Sequence, residues 1–366
     1  MAPPALTRIV AALPATIPFV GPESLERQSG TPLSLRIGAN ESLFGASPKV
    51  LEAMRRAVSE SHLYGDPEGL ELREAIAREH GVTAEHIVLG AGADELLGTL
   101  AQAYLEPGQI AVMSDGAYPT FAYQVRGHGG QLRTTPYRDD RNDPLALVEL
   151  AREIGAKLLY LSNPDNPTGS YLTAAEQFAL LERLAGNCLL VLDEAYAAFA
   201  PAEALPDLAS DDPRVIRIRT FSKAHGLAGM RVGYALGAPE LVRPFDRIRN
   251  QFGVGRVSQA AALAALADKD FVASVVAATD QGKRAYAALA EKHGFHALPS
   301  ATNFVAIDVG GVERARTILT RLFAEHGVFI RMPGVAPLNR CIRVTVGRPE
   351  DLPHFSEAFS RVVSTL

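Results

Sequence analysis

The stretch Thr220-Phe221-Ser222-Lys223, followed by Gly226-Leu227-Ala228-Gly229-Met230-Arg231, carries the most specific chemistry in the chain. A lysine at the end of an apolar strand, in a loop of small residues, suits an amine that condenses with a carbonyl carbon. Arg231 and Ser222 can bind an anion beside it, because a guanidinium forks onto phosphate or carboxylate oxygens and a hydroxyl adds one more donor. Without these neighbours the lysine reads as a solvated surface side chain.

Upstream, the run Leu189-Leu190-Val191-Leu192-Asp193-Glu194-Ala195-Tyr196 puts a carboxylate at the end of a buried strand, where ligands gather in open α/β sheets. Asp193 can keep a ring nitrogen protonated and make that ring an electron sink; it can equally cap the following turn. Asn163-Pro164-Asp165-Asn166-Pro167-Thr168-Gly169 follows another strand, and ordinary turn chemistry accounts for most of it, less well for the repeated Asn-Pro pair. Gly90-Ala91-Gly92-Ala93-Asp94-Glu95 joins a strand to a helix, so its backbone N–H groups and the helix dipole can hold a phosphate. As a dinucleotide fingerprint it is poor, since Glu95 occupies the third glycine position, although Asp115 lies near the distance for a ribose-binding acid.

These residues need a scaffold, and from about residue 46 helical and strand-like patterns alternate as in an α/β protein. Ser47 and Pro48 read as N-cap and first residue of a helix, and a second helix ends near Gly81. Strands are predicted at Ile87 to Leu89, Ile110 to Met113, Leu158 to Leu161, Leu189 to Leu192, Val215 to Arg219 and Val232 to Leu236. Their short apolar runs fit a sheet covered by helices on both faces. A helix begins near Ala93, and Thr173 with Glu176 forms a capping box that opens another, through Leu184. Alanine-rich helices follow around Gln259 to Ala267 and Asp270 to His293. The pattern then changes to strands at Phe304 to Asp308, Val328 to Arg331 and Cys341 to Val346, with helices at Val312 to His326 and Pro349 to Val363. This reads as a compact C-terminal α+β unit joined by the N-terminal arm.

Composition narrows the classes. At 366 residues and 39.1 kDa the chain fits two domains, or one large domain with an appendage. Hydrophobic residues make up 47% and charged residues 21%, an ordinary globular balance. The net charge of −5 offers no basic field for nucleic acid or anionic membrane. The longest strongly apolar run, near Ala260 to Ala267, falls short of the roughly 20 residues that span a bilayer. A secretory signal is not expected, because Arg8 is the sole early positive charge and Pro14 cuts the apolar stretch Ile9 to Leu13. Cys188 and Cys341 sit in apolar runs as small hydrophobes. A disulfide scaffold or metal site is therefore not expected, and a reducing cytoplasm is.

Taken together and in this order, Gly-Ala-Gly-Ala-Asp-Glu, Asn-Pro-Asp-Asn-Pro-Thr-Gly, Asp193 with Tyr196, and Ser222-Lys223 with Arg231 resemble the fold type I pyridoxal phosphate aminotransferases, specifically the histidinol-phosphate aminotransferase branch. The likeness runs from Ala39-Asn40-Glu41 to Cys341-Ile342-Arg343-Val344-Thr345-Val346-Gly347. It implies an α/β fold: a large domain with a mostly parallel seven-stranded sheet between helices, and a smaller α+β domain built from the C-terminal segment and the N-terminal arm. The expected boundaries are an arm over 1–45, a large cofactor-binding domain over 46–268 and a small domain over 269–366.

The resemblance also assigns roles. Lys223 would hold pyridoxal 5′-phosphate covalently, yield it to the incoming amine and then shuttle a proton as general base and acid. Asp193 would pair with the pyridinium, and Asn166 and Tyr196 would hydrogen-bond the cofactor's phenolic oxygen. The backbone amides of Ala93 and Asp94, with Ser222 and Arg231, would hold the phosphate. In Tyr118-Pro119-Thr120-Phe121 the family's stacking ring falls at Phe121, which can also be a core phenylalanine. Tyr64 matches a tyrosine that reaches the phosphate of the neighbouring subunit in a homodimer. Arg343 matches the arginine that forks onto the substrate α-carboxylate, and Asn40 a residue near the same group. Arg331 matches a position associated with the substrate's distal phosphate, or is a surface strand residue.

The implied reaction carries an amino group from histidinol phosphate to 2-oxoglutarate, giving imidazole acetol phosphate and glutamate in histidine biosynthesis. Transamination of aromatic or other amino acids, or decarboxylation of a phosphorylated amino acid on the same scaffold, are the alternatives. A non-enzymatic cofactor-binding regulator needs a DNA-binding module, and the arm before residue 40 is short and little charged for one. Three positions depart from the family pattern: His225 stands where phenylalanine is common, Gly65 where proline is usual, and Phe19 where a tyrosine often faces the substrate.

Overall fold

The computed structural model describes residues 3–15, 19–206, 208 and 210–366. Its strands, in chain order, are β1 (Leu35–Arg36), β2 (Ile87–Gly90), β3 (Ile110–Ser114), β4 (Gln131–Thr135), β5 (Leu158–Ser162), β6 (Leu189–Asp193), β7 (Val215–Thr220), β8 (Gly233–Leu236), β9 (His296–Ala297), β10 (Phe304–Asp308), β11 (Val328–Phe329) and β12 (Cys341–Thr345). Seven of them form one sheet in the order β2-β8-β7-β6-β5-β3-β4. Only β8 runs against its neighbours; the other pairings are parallel. Strands β5 and β6 are buried along their whole length, as apolar runs between two helix layers must be.

The direction of these strands does the positioning. Because β3, β5, β6 and β7 are parallel, Ser114, Ser162, Asp193 and Thr220 all end on one edge, with Ser162 in register opposite Asp193. The antiparallel β8 places Gly233 opposite both Gly90 and Thr220, which brings the end of β2 to that same edge. The motifs that follow β2, β5, β6 and β7 therefore emerge side by side.

Local signals explain the helices. Ser47 Oγ accepts the Val50 N–H at 3.2 Å ahead of helix Pro48–Val58. Thr173 and Glu176 close a capping box over helix Ala174–Arg183. Gly81, at φ 66°, ends helix Leu70–His80 in the left-handed conformation that favours glycine. The C-terminal segment opens with a 3₁₀ turn, Pro349–Asp351, before helix Leu352–Val363.

A second, three-stranded sheet has the order β12-β10-β9, and β1 of the arm pairs parallel with β11. Leu35 and Ile37 share a hydrophobic cluster with Tyr286, Ile307, Ile342 and Phe359, so the arm and the C-terminal segment fold as one α+β unit. The predicted strand over 328–331 is shorter than expected. Beyond Phe329 the backbone leaves the pair with β1, and Arg331 bridges Arg343 instead. Among the described residues no helix is long and apolar enough to cross a membrane.

Candidate active site

A cavity of about 310 Å³ opens at the edge where the parallel strands end, a volume suited to a cofactor-sized ligand. Lys223 enters it from the loop after β7, and its Nζ donates to the Asn40 carbonyl at 3.1 Å and lies 5.3 Å from the Tyr196 ring centre. The loop turns tightly at Gly226, where φ is +70° and a Cβ would collide with the Gly45 carbonyl. Asn40 itself has φ 56°, a conformation that asparagine tolerates better than most residues. Its side chain donates to Tyr196 Oη at 2.9 Å, so the arm is tied directly to the lysine and the tyrosine.

Asp193 forms the cavity floor and is buried. Its Oδ2 accepts the Tyr160 hydroxyl at 2.7 Å and its Oδ1 the Ala195 N–H at 3.0 Å. Burial pushes its carboxyl up to about 6, against the pull of these two donors. Among the described residues this carboxylate forms no ion pair, and a protonated ring nitrogen would supply one. The adjacent Glu194 is structural: burial raises it, but Arg219 and Arg217 outweigh that effect and hold it below the usual carboxylate range.

Asn166 reaches the cavity from the loop after β5, and its Oδ1 accepts from Arg343 Nη1 at 2.6 Å. The loop is anchored by Asp165, which is wholly buried and accepts from Thr168 Oγ1 at 2.7 Å and from Tyr137 Oη and Asn142 Nδ2 at 3.1 Å. Sequence reasoning assigned Asp165 no task; only its place between the two Asn-Pro pairs hinted at one.

Ala93 and Asp94 line the same cavity and begin a twelve-residue helix, Ala93–Tyr104, whose first N–H groups have no partner within the helix. Arg231 lies alongside, with Nη1 3.4 Å from Ser222 Oγ and Nη2 3.7 Å from Asp94 Oδ2. A Cβ at Gly92, where φ is +84°, would run into this guanidinium, which is why the turn needs glycine. Helix N-terminus, hydroxyl and arginine together fit a phosphate monoester. With Asp193 and Lys223 they complete a site that pyridoxal phosphate fits.

The stacking expectation for Phe121 is corrected. Phe121 is fully buried and lies flat on Tyr160, with ring centres 4.7 Å apart and planes 16° apart. Helix Pro119–Gly127 turns Phe121 inward onto the sheet, while Tyr118 at the helix start stays on the cavity. Tyr118 Oη donates to Asp94 Oδ1 at 3.0 Å, and burial holds its phenol in the protonated form.

Arg343 and Arg331, the two arginines expected at the substrate, differ from every other arginine described so far. Arg343 and Arg331 pair through their backbones, Arg343 N donating to Arg331 O at 2.6 Å and receiving in return at 3.2 Å. Arg343 is held by Asn166, by the Gly38 carbonyl at 3.2 Å and by the Phe304 ring, while its buried Nε has no partner. Arg331 sits over Phe329 and donates to the Val20 carbonyl at 2.6 Å. Neither forms an ion pair among the described residues, and burial lowers the pKa of both. Two neighbouring cations without carboxylates make a site for an anion.

Tyr64 lies outside the cavity, 77% exposed and packed on Phe252 at 4.5 Å. Gly65 beside it has no room for a side chain, since a Cβ would come within 3.0 Å of the Arg256 backbone nitrogen. His225 packs on Phe221 at 5.0 Å, and burial lowers it to about 4, so it fills the usual phenylalanine position as a neutral ring. Phe19 meets Tyr123 edge-on at 6.0 Å, close to Tyr118. Both cysteines are free and buried.

An open, mostly parallel sheet with a lysine, a buried carboxylate and an arginine beside a helix N-terminus on one edge is the arrangement expected of a class of amine-transferring enzymes. Residues 34–359 match the model for aminotransferase class I and II, and the chain belongs to that family. Among its relatives, histidinol-phosphate aminotransferase 2 of Carboxydothermus hydrogenoformans is 36% identical over 348 residues, covering 94% of this chain and 95% of that protein. The protein of the same name in Methylococcus capsulatus is 36% identical over 93% of each chain. The crystal structure of histidinol-phosphate aminotransferase from Sinorhizobium meliloti in complex with pyridoxal-5′-phosphate superposes with a TM-score of 0.96 at 46% identity, covering 100% of this chain and 99% of that one. Aspartate aminotransferase from Thermus thermophilus with maleate gives 0.81 at 25% identity, over 98% and 100%.

Proposed function

We propose that this protein is a pyridoxal-phosphate-dependent aminotransferase that moves the amino group of histidinol phosphate to 2-oxoglutarate, giving imidazole acetol phosphate and glutamate. The observation that carries the reading is the pair Arg343 and Arg331, without ion-pair partners among the described residues, beside a cavity that holds Lys223, Asp193 and Asn166. The names of the relatives and of the structural neighbour at 46% identity support the same substrate.

When bound, pyridoxal phosphate supplies an aldehyde carbon that condenses with amines and a ring that takes up an electron pair. Lys223 provides the amine that holds it and, once displaced, moves a proton to and from the substrate carbon. Asp193 holds the ring nitrogen, and Asn166 and Tyr196 donate to the ring oxygen. Tyr118, which lines the cavity, would cover the ring face. The Ala93 and Asp94 amides, Ser222 and Arg231 bind the phosphate. Arg343 takes the α-carboxylate of glutamate or 2-oxoglutarate, and Arg331 the second anionic group, whether the distal carboxylate or the phosphate of histidinol phosphate. Asn40 orients Tyr196 and Lys223 from the arm.

The working molecule is a homodimer in which Tyr64 reaches the phosphate of the partner's site, a role that fits its exposure in the single chain. The arm (1–45), large domain (46–268) and small domain (269–366) are its functional divisions, and the cytoplasm, where free thiols persist, is its compartment. A half-reaction screen tests the reading. Histidinol phosphate added to the cofactor-loaded protein should convert it to the pyridoxamine form, followed by absorbance, and 2-oxoglutarate should return it with release of glutamate. Release of carbon dioxide, or conversion by aromatic amino acids alone, would contradict it.

A further inference from the structure

Tyr160 has no task in the reading above, yet it makes the shortest contact to Asp193. It is fully buried in the middle of β5, and its partner in register on β6 is Val191, two residues before Asp193. Side chains two apart on a strand share a face, and an aromatic side chain spans the diagonal to the neighbouring strand. The phenol thus reaches Asp193 Oδ2 at 2.7 Å while Oδ1 takes the Ala195 N–H at 3.0 Å. The ring of Tyr160 is itself fixed from behind by Phe121, stacked at 4.7 Å and 16°.

We infer that Tyr160 is a positioning residue for Asp193: its hydroxyl fixes the plane of the carboxylate and holds it ionised, so that the proton stays on the cofactor's ring nitrogen, and Phe121 in turn fixes Tyr160. The inference rests on the reading of Asp193 as the ring-nitrogen partner. A donor to a buried carboxylate favours its charged form, and this contact has the length of a charge-assisted hydrogen bond. The other charges that bear on Asp193 are Lys223, which also favours the ionised form, and Asp94, which opposes it. Without the phenol, the basicity of Asp193 rises and the shared proton moves from ring to carboxyl. Phe121 thereby acts on the cofactor through Tyr160 and Asp193, without contact between the rings.

The experiment uses holoenzyme loaded with pyridoxal phosphate labelled with ¹⁵N in the ring. In the parent the resonance should lie at the protonated position. In Tyr160→Phe, which removes only the hydroxyl, it should move toward the unprotonated position, and kcat should fall about tenfold or more, the loss expected for one hydrogen bond to a charged group. KM for the amino donor should stay within about twofold, because substrate contacts are untouched. Asp193→Asn is run alongside. A resonance that moves in Asp193→Asn but not in Tyr160→Phe overturns the role of Tyr160 and leaves the reading of Asp193 standing. A resonance unmoved in both overturns the reading of Asp193 and this inference with it. If Tyr160→Phe does not yield folded protein, Phe121→Leu, which keeps the hydroxyl and frees the ring, carries the test. Its resonance should shift the same way by a smaller amount, and an unchanged resonance would overturn the inference.

Discussion

The site has two sides built on different plans, one proposed above for the cofactor in the cavity and one for the substrate beside it. On the cofactor side the groups are assembled from short stretches of one sheet edge, and most are already locked: Asp193 by Tyr160 and Ala195, Asp165 by Thr168, Tyr137 and Asn142, Ser222 by the Thr220 hydroxyl at 2.9 Å. On the substrate side the groups come from places far apart in the chain. Asn40 in the arm meets Thr345, and Arg331 meets the Val20 carbonyl across 311 residues. Arg343 keeps a buried N–H without a partner, and neither arginine has an acidic partner among the described residues. Preorganisation serves charge that is present in every turnover. Unpartnered cations serve an anion that comes and goes, because an ion pair within the protein would have to be broken each time.

Substitutions should divide along the same line. Asp193→Asn should give the larger loss, lowering kcat about a hundredfold, or about 3 kcal/mol, with KM little changed and thermal unfolding close to that of the parent. The same group sets a pH limb. Since burial raises the carboxyl to about 6, it becomes neutral as pH falls through that value, and the affinity of the apoprotein for the cofactor should weaken there. A titration of cofactor binding against pH should show this limb in the parent and lack it in Asp193→Asn. Equal pH profiles would mean that Asp193 does not face the ring.

Arg331→Ala should have a smaller and selective effect. Loss of one charge-assisted contact should lower kcat/KM for histidinol phosphate roughly tenfold to a hundredfold, and far less for a neutral amino acid. Steady-state kinetics with both donors checks this. Equal losses would erase the difference between the two sides, and would make Arg331 a structural residue of the arm contact.

The same division explains what could be read from the sequence. Strands β3, β5, β6 and β7 were predicted to within a residue or so at their ends, because a buried parallel strand announces itself as an apolar run between turn signals. Strand β4 was missed: it lies on the sheet edge, and its sequence Gln-Leu-Arg-Thr-Thr is polar and largely exposed. The helices Pro119–Gly127 and Pro144–Glu153 were also passed over; each follows a loop and opens with a proline. Motifs confined to one loop, such as Ser222-Lys223 and Gly92-Ala93-Asp94, lead straight to the cavity. The Tyr118-Pro119-Thr120-Phe121 segment does not, because which of two rings faces the cavity depends on how the helix docks on the sheet. Tyr160 carries no motif of its own and Asp165 sits in the Asn-Pro run without an assigned role, so their tasks follow from strand register and burial.

The most direct test of the account is chemical. Borohydride reduction of the purified, cofactor-loaded protein, followed by peptide mapping, should find the reduced cofactor on the peptide that contains Lys223 and on no other. Lys223→Ala should retain none and should lose transamination by about 10⁴-fold or more. Cofactor trapped on a different lysine, or a Lys223→Ala protein that still transaminates near the parental rate, would contradict the assignment on which the rest of the site depends.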